Sequence, residues 1–373
     1  MLPEPMLARL VSFPSVVGRP NGAIIGFVRD YLAGHGVEAR VLPGPEGDRS
    51  NLFATIGPAG VPGLILSGHL DVVPAEEPQW LDDPFAMRDR EGRLIGRGTC
   101  DMKGFVAAVL SAVPDLVAMD LPAPIHLALS YDEEAGCRGV PHLLARLPDL
   151  CAPPLGCVVG EPSNLTPVLC HKGKAAIRVV TRGRSGHSSR PDLGSNAVHK
   201  LLPVLEAVVR TEAALREGAC DPRFAPPYST LQAGVVRGGQ AINIIPDRAE
   251  IEIEARAIAG VDPVALLQPV RAAAGEGAEI EVLSAYPALS LPADHALAHL
   301  MTGLTGKTPL GAVSYGTEAG LFQQAGVPAI ICGPGDISRA HKPEEFLTRD
   351  ELHAARALVV ALARKVARGE GLR

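Results

Sequence analysis

Leu66-Ser67-Gly68-His69-Leu70-Asp71-Val72-Val73-Pro74 is the stretch on which the fold turns. It closes the apolar run Gly63-Leu64-Ile65-Leu66, which is short enough for a buried strand and is bounded by small residues. Directly after the run come an imidazole and a carboxylate two positions apart. In an extended chain, residues i and i+2 project from one face. His69 and Asp71 therefore approach a common point, either as two ligands or as a ligand and the carboxylate that orients it. A single His-x-Asp at a strand end is ordinary polar capping. It gains meaning from four later carboxylates and one later histidine, each at the edge of an apolar run.

Outward from this stretch the pattern recurs. Arg88 to Gly98 reads as a short hairpin around Glu91-Gly92. It leads through Thr99-Cys100-Asp101-Met102-Lys103-Gly104 into a helix from Phe105 to Met119. Asp101 thus lies in the turn before a helix, where an isolated Asp is usually an N-cap. The strand Ile125–Ser130 ends in Tyr131-Asp132-Glu133-Glu134, acids that repel one another unless a cation lies nearby. Val158-Val159-Gly160-Glu161-Pro162 repeats the theme. The buried strand Ala329–Cys332 leads through Gly333-Pro334-Gly335-Asp336 to His341. In open α/β sheets, sites form outside the C-terminal ends of the strands. The expected fold is an α/β catalytic domain, with a mixed, mostly parallel sheet and helices on both faces.

Upstream, residues 5 to 60 read as a helix, a Pro/Gly break, a second helix from Ile24 to His35 capped by Asn21, and strands at 37–42 and 51–56. The middle third differs. Ala175–Thr181, Thr230–Val236, Ile242–Ile245 and Ala249–Ala257 read as strands with one polar face, accompanied by helices at about 195–215 and 262–274. This predicts a discontinuous catalytic domain, 1–170 and 287–373, with an α+β domain inserted at 171–286.

Composition narrows the classes. The chain has 373 residues, 47% hydrophobic and 20% charged, with a formal net charge of −6. It offers no long-range attraction to nucleic acid or to an anionic membrane, and Arg is dispersed rather than clustered. No apolar segment reaches the roughly 18 residues needed to span a bilayer, and the N-terminus does not read as a signal peptide. Seven scattered Cys without a Cys-x-x-Cys pair argue for reduced thiols in a cytoplasmic protein, against a disulfide framework or thiolate zinc site.

His69, Asp101, Glu134, Glu161 and His341 form a mixed nitrogen and oxygen donor set suited to zinc, with cobalt or manganese able to substitute. Five ligands are too many for one catalytic zinc that keeps an open position. They suffice for two ions about 3.5–4 Å apart if one carboxylate bridges. Glu133 is then left over beside the ligands, a carboxylate free to take a proton from water and return it.

Ser67-Gly68-His69-Leu70-Asp71-Val72-Val73-Pro74, Gly96-Arg97-Gly98-Thr99-Cys100-Asp101-Met102-Lys103-Gly104, Asp132-Glu133-Glu134 and Gly160-Glu161-Pro162 together closely resemble the M20 family of zinc aminoacylases and carboxypeptidases. The resemblance covers essentially the whole chain. It implies that His69 and Glu161 hold one zinc, Glu134 and His341 the other, that Asp101 bridges, that Asp71 orients His69, and that Glu133 is the general acid/base. It implies further that the inserted domain is a lid that forms a homodimer. Gly186-His187-Ser188-Ser189 matches the motif whose His meets the oxyanion across that dimer. Asn243 matches the lid's substrate-facing Asn, and Arg256 the partner of the substrate's α-carboxylate. Within the family, Tyr228–Leu231, Gly238–Asp247, Tyr315–Gly320 and Cys332–Pro343 resemble the branch that deacetylates a basic amino acid. Thr317 and Glu318 are expected to bind substrate, Glu318 as an acidic feature suited to a distal ammonium. The implied substrate is a small N-acyl amino acid. Desuccinylation, a broader deacylase activity and metal binding without turnover stay open as alternatives.

Overall fold

The computed structural model describes residues 1–368, and the statements below concern those residues. In chain order the principal strands are β1 (Ala39–Pro43), β2 (Ser50–Ile56), β3 (Leu64–His69), β4 (Ile125–Ser130), β5 (Gly156–Pro162), β6 (Gly173–Arg182), β7 (Thr230–Gly238), β8 (Arg248–Ala257), β9 (Ala278–Tyr286) and β10 (Ala329–Gly333). The principal helices are α1 (Pro3–Val11), α2 (Gly22–Ala33), α3 (Lys103–Val117), α4 (Leu202–Arg216), α5 (Ala319–Gln324) and α6 (Arg349–Ala367). The chain divides into two compact units. The first comprises Met1–Cys170, Ser290–Gly311 and the chain from Thr317; the second comprises His171–Leu289 with Ala312–Gly316.

The first unit is built on a six-stranded sheet of order β1-β2-β4-β3-β5-β10. The pairings among β4, β3, β5 and β10 are parallel, and those of β1 with β2 and β2 with β4 are antiparallel. This is the mixed, mostly parallel sheet expected from the sequence. The parallel strands are buried on both faces, as their unbroken apolar runs require. α3 is apolar nearly all round, and its Phe105, Val106, Val109, Leu110 and Val113 are buried. It packs against β3 and β5 and against α6, so it lacks a solvent face and the periodicity of a surface helix. No described helix is long and apolar enough to cross a membrane.

Asn21 does not serve as the expected cap of α2. Its amide nitrogen donates to the Ser50 carbonyl and its oxygen accepts from the Ser50 amide. The side chain is spent on β2, a partner distant in sequence.

The second unit carries an antiparallel sheet of order β7-β8-β6-β9. Ile251, Ile253 and Ala255 of β8 and Ile177 and Val179 of β6 bury one face with Val204, Ala207 and Val208 of α4. Glu250, Glu252, Glu254 and Arg256 alternate with them on the other face, as period-two patterning dictates. Sequence periodicity did not pick out β9.

Candidate metal centre and active site

Sheet register brings the acidic strand ends together. His69 of β3 stands opposite Ser130 of β4, and Ser67 stands opposite Val159 of β5. The C-terminal ends of the three strands are therefore level. They deliver His69, Glu133-Glu134 and Glu161 to one edge. Asp101 arrives from the turn before α3, and His341 from the segment beyond β10.

Ligand atoms of His69, Glu133 and Glu161 lie within 4.8 Å of one another, as do those of His69, Asp101 and Glu134. His69 Nε2 is 3.1 Å from Asp101 Oδ1 and 3.9 Å from Glu161 Oε1. His341 Nε2 is 3.0 Å from Glu134 Oε1 and 3.3 Å from Asp101 Oδ2. Asp101 thus turns its two oxygens toward two different imidazoles. The set divides into a His69 side with Glu161 and a His341 side with Glu134, and Asp101 belongs to both. Two imidazoles and three carboxylates in this order are the donor types that a pair of divalent ions takes, with one carboxylate shared. Cys100, next to Asp101, is no part of the set; its buried thiol donates to the Asp336 carbonyl.

Electrostatics point the same way. Asp71, Asp101 and Glu161 are buried, and anions crowded in low dielectric destabilise one another unless positive charge joins them. Burial, with the neighbouring carboxylates of Asp101 and Glu133, pushes Glu161 well above the ordinary range. Burial also raises Glu133, to about 8, with Glu134, Asp101 and Asp71 adding to it and His69 opposing it. For Asp101 burial acts upward too, but hydrogen bonds with His341 and His69 hold its carboxyl below the usual range.

Asp71 frames the cluster. Its backbone carbonyl is 2.9 Å from His69 Nδ1 and its Oδ1 is 3.6 Å from the same atom. Its carboxylate also accepts from the amides of Glu133 and Glu134. One residue therefore holds the imidazole through its backbone carbonyl and the neighbouring strand end through its carboxylate.

A second frame escaped the sequence reading. Buried Glu345 accepts from the amides of Cys100 and Asp101 through Oε1 and from Arg97 through Oε2. Buried Arg97 also donates to the carbonyls of Pro74 and Lys342 and to Glu77. This pair ties the Asp101 turn to the segment carrying His341. The available signal was an Arg and a Glu inside motif-like stretches, Gly96-Arg97-Gly98 and Pro343-Glu344-Glu345.

The second unit holds three further candidates. His187 and Asn243 are brought together because Gly186-His187 pairs with Ile244-Ile245 and the Ser188 amide donates to the Asn243 carbonyl. His187 is exposed, and its Nδ1 accepts from the Ser189 amide, which leaves Nε2 as the N–H donor. Arg256 directs its guanidinium at Glu254, at 2.8 Å, and at the Tyr286 hydroxyl, at 3.4 Å.

Thr317 and Glu318 require correction. Both are 1% exposed. The Thr317 hydroxyl oxygen accepts from the Ala319 amide. The Glu318 oxygens accept from Ser67 and Ser130. Neither side chain has a free face for a substrate. Their position just before α5 turns them inward.

Glu133 lies beside this donor set without being needed to complete it, and the class that such a carboxylate–imidazole cluster fits is a metal-dependent hydrolase. A family model described as peptidase family M20/M25/M40 matches residues 65–365, and the chain belongs to that family. An acetylornithine deacetylase from Photorhabdus laumondii subsp. laumondii is 32% identical, over 96% of this chain and 95% of its own length. One from Proteus mirabilis is also 32% identical, over 94% of this chain and 93% of its own. Among solved structures, an M20 family metallo-carboxypeptidase from Sulfolobus solfataricus has a TM-score of 0.81 at 18% identity, covering 98% of this chain and 99% of that one. A dinuclear metal-binding peptidase of the M20 family from Bacillus subtilis has a TM-score of 0.66 at 16% identity, covering 98% of each. At these identities the solved structures speak for the fold.

Proposed function

We propose that this enzyme removes the acetyl group from N2-acetyl-L-ornithine, giving L-ornithine and acetate, as a cytoplasmic step of arginine biosynthesis. The observation that carries the reading is the pair of acetylornithine deacetylases matched across more than nine-tenths of the chain, taken with the buried carboxylate–imidazole centre. His69, Glu161, Asp101, Glu134 and His341 would hold two divalent ions, zinc being the expected metal. When bound, the ions polarise the amide carbonyl and lower the pKa of the attacking water. Glu133 takes a proton from that water as its oxygen bonds to the acetyl carbon. It returns the proton to the amine nitrogen as the carbon–nitrogen bond breaks. Asp71 keeps His69 and the Glu133-Glu134 amides in register during this exchange. His187 is assigned to the developing oxyanion through Nε2–H, Asn243 to the substrate, and Arg256 to its α-carboxylate, for which a guanidinium fork is the natural partner. The second unit is assigned the roles of lid and homodimer contact.

The test is steady-state hydrolysis by zinc- or cobalt-loaded enzyme on N2-acetylornithine, N-acetylmethionine, N-succinyl-diaminopimelate and a dipeptide. Acetylornithine is expected to lead in kcat/KM by about tenfold or more, the scale at which pocket contacts discriminate substrates. A flat profile, or a lead for the succinyl substrate, would replace the acetylornithine assignment with a broader deacylase or a desuccinylase.

A further inference from the structure

We infer that Glu318 is a positioning residue of the metal centre, clamping β3 to β4 behind the ligands and so fixing His69 relative to Glu133 and Glu134. This rests on the assignment of the cluster as a metal site and stands whichever acyl group is cleaved.

Glu318 receives the Ser67 hydroxyl on Oε1 at 2.5 Å and the Ser130 hydroxyl on Oε2 at 2.7 Å. Ser67 lies two residues before His69 on β3, so the two side chains share a face of the sheet. Ser130 is the β4 residue directly opposite His69, with Ala128 opposite Ser67, so it lies on that same face. The carboxylate therefore spans the two strands one step inside the ligands. Its hold on Ser130 lies three residues before Glu133.

The chemistry is wrong for a packing role. Among the described residues Glu318 forms no ion pair: the Ser67 and Ser130 hydroxyls hold it, and His69 acts on it only through space. An unpaired buried carboxylate is costly, and an apolar residue of similar volume would serve packing better. The cost is offset if the span it enforces is repaid by bound cations. Outer partners of metal ligands act in this way, holding the ligand in its coordinating geometry.

The experiment compares Glu318→Leu with Glu318→Gln. The amide of Gln can accept one hydroxyl and donate to the other, preserving the span without the charge. Metal-free protein is titrated with Co2+ against a competing chromophoric chelator, and the visible absorption of the loaded protein is recorded. Glu318→Leu is expected to weaken cobalt affinity by about 10–100-fold and to alter the cobalt spectrum, while Glu318→Gln stays within about threefold of the parent. Substrate order at saturating metal is expected to be unchanged in both. Parental affinity and spectrum in a folded Glu318→Leu would overturn the inference. So would a Gln variant as weak as the Leu variant, which would mean that charge, not span, matters. A changed substrate order at saturating metal would also overturn it, by placing Glu318 against the substrate. Should Glu318→Leu fail to fold, Ser130→Ala cuts one arm of the clamp, and its expected effect is a smaller loss of cobalt affinity; parental affinity there counts against the clamp. An unmutated chain that takes up no metal would instead sink the metal-centre reading itself.

Discussion

At the level of single side chains, His126 shows how burial alone sets a titration. The ring lies inside the sheet on β4 and stacks on Phe53 at 5.3 Å. Its Nδ1 is 2.9 Å from the Thr55 hydroxyl, and its Nε2 is buried without a partner. Burial lowers its pKa to about 4 from an ordinary 6.5. The unfolded chain therefore binds the proton more readily, and the stability this group contributes is complete above pH 6.5. It is lost as pH falls through that window toward 4. At about 1.4 kcal/mol per pKa unit, the loss is roughly 3 kcal/mol. His126→Leu is expected to flatten the dependence of unfolding free energy on pH across this window, read from urea melts at fixed metal content. An unaltered slope would mean that other groups dominate acid sensitivity. His69, Asp101, Glu133, Glu134, Glu161 and His341 were legible as a chemical set because each lies at or near the edge of an apolar run. Glu318, Glu345 and Arg97 were not legible in their positioning roles, since a buried hydrogen-bond partner more than two hundred residues away leaves no local trace.

Among the elements, the parallel strands and α3 were readable because unbroken apolar runs leave little choice. The β4 strand falls on 125–130 as expected, and α3 begins two residues earlier than its apolar stretch suggests. The β9 strand and the diversion of Asn21 to Ser50 were not readable, because they depend on which neighbour arrives. Close packing between elements makes a further prediction. A Cβ on Gly160 of β5 would lie 2.0 Å from the Phe105 ring of α3. Overpacking of this kind costs about 1–3 kcal/mol, and here it pushes directly behind Glu161. Gly160→Ala is expected to lower the melting temperature and weaken metal uptake together. A variant that melts like the parent would show that α3 can shift without strain.

For the molecule as a whole, the proposed homodimer has a physical counterpart in the second unit. Leu202 and Val209 are 57% and 63% exposed and lie seven residues apart on α4, hence on one side of the helix. Exposed apolar side chains in one row are suited to burial against a second copy. Light scattering is expected to give twice the chain mass for the parent and a single chain mass for Leu202→Asp/Val209→Asp, with the melting temperature little changed. A monomeric parent would refute the dimer. The interrupted course of the chain also governs when the centre can come into being. On the ribosome, a nascent chain that has reached Gly316 carries the whole second unit together with His69, Asp101, Glu134 and Glu161, yet neither β10 nor His341 has been made. The second unit can fold at that stage, since domains fold as units during synthesis, while β5 remains an open edge awaiting its neighbour. The His341 side of the centre is therefore completed last, and a message cut short after the second unit lacks one donor of the proposed pair of ions.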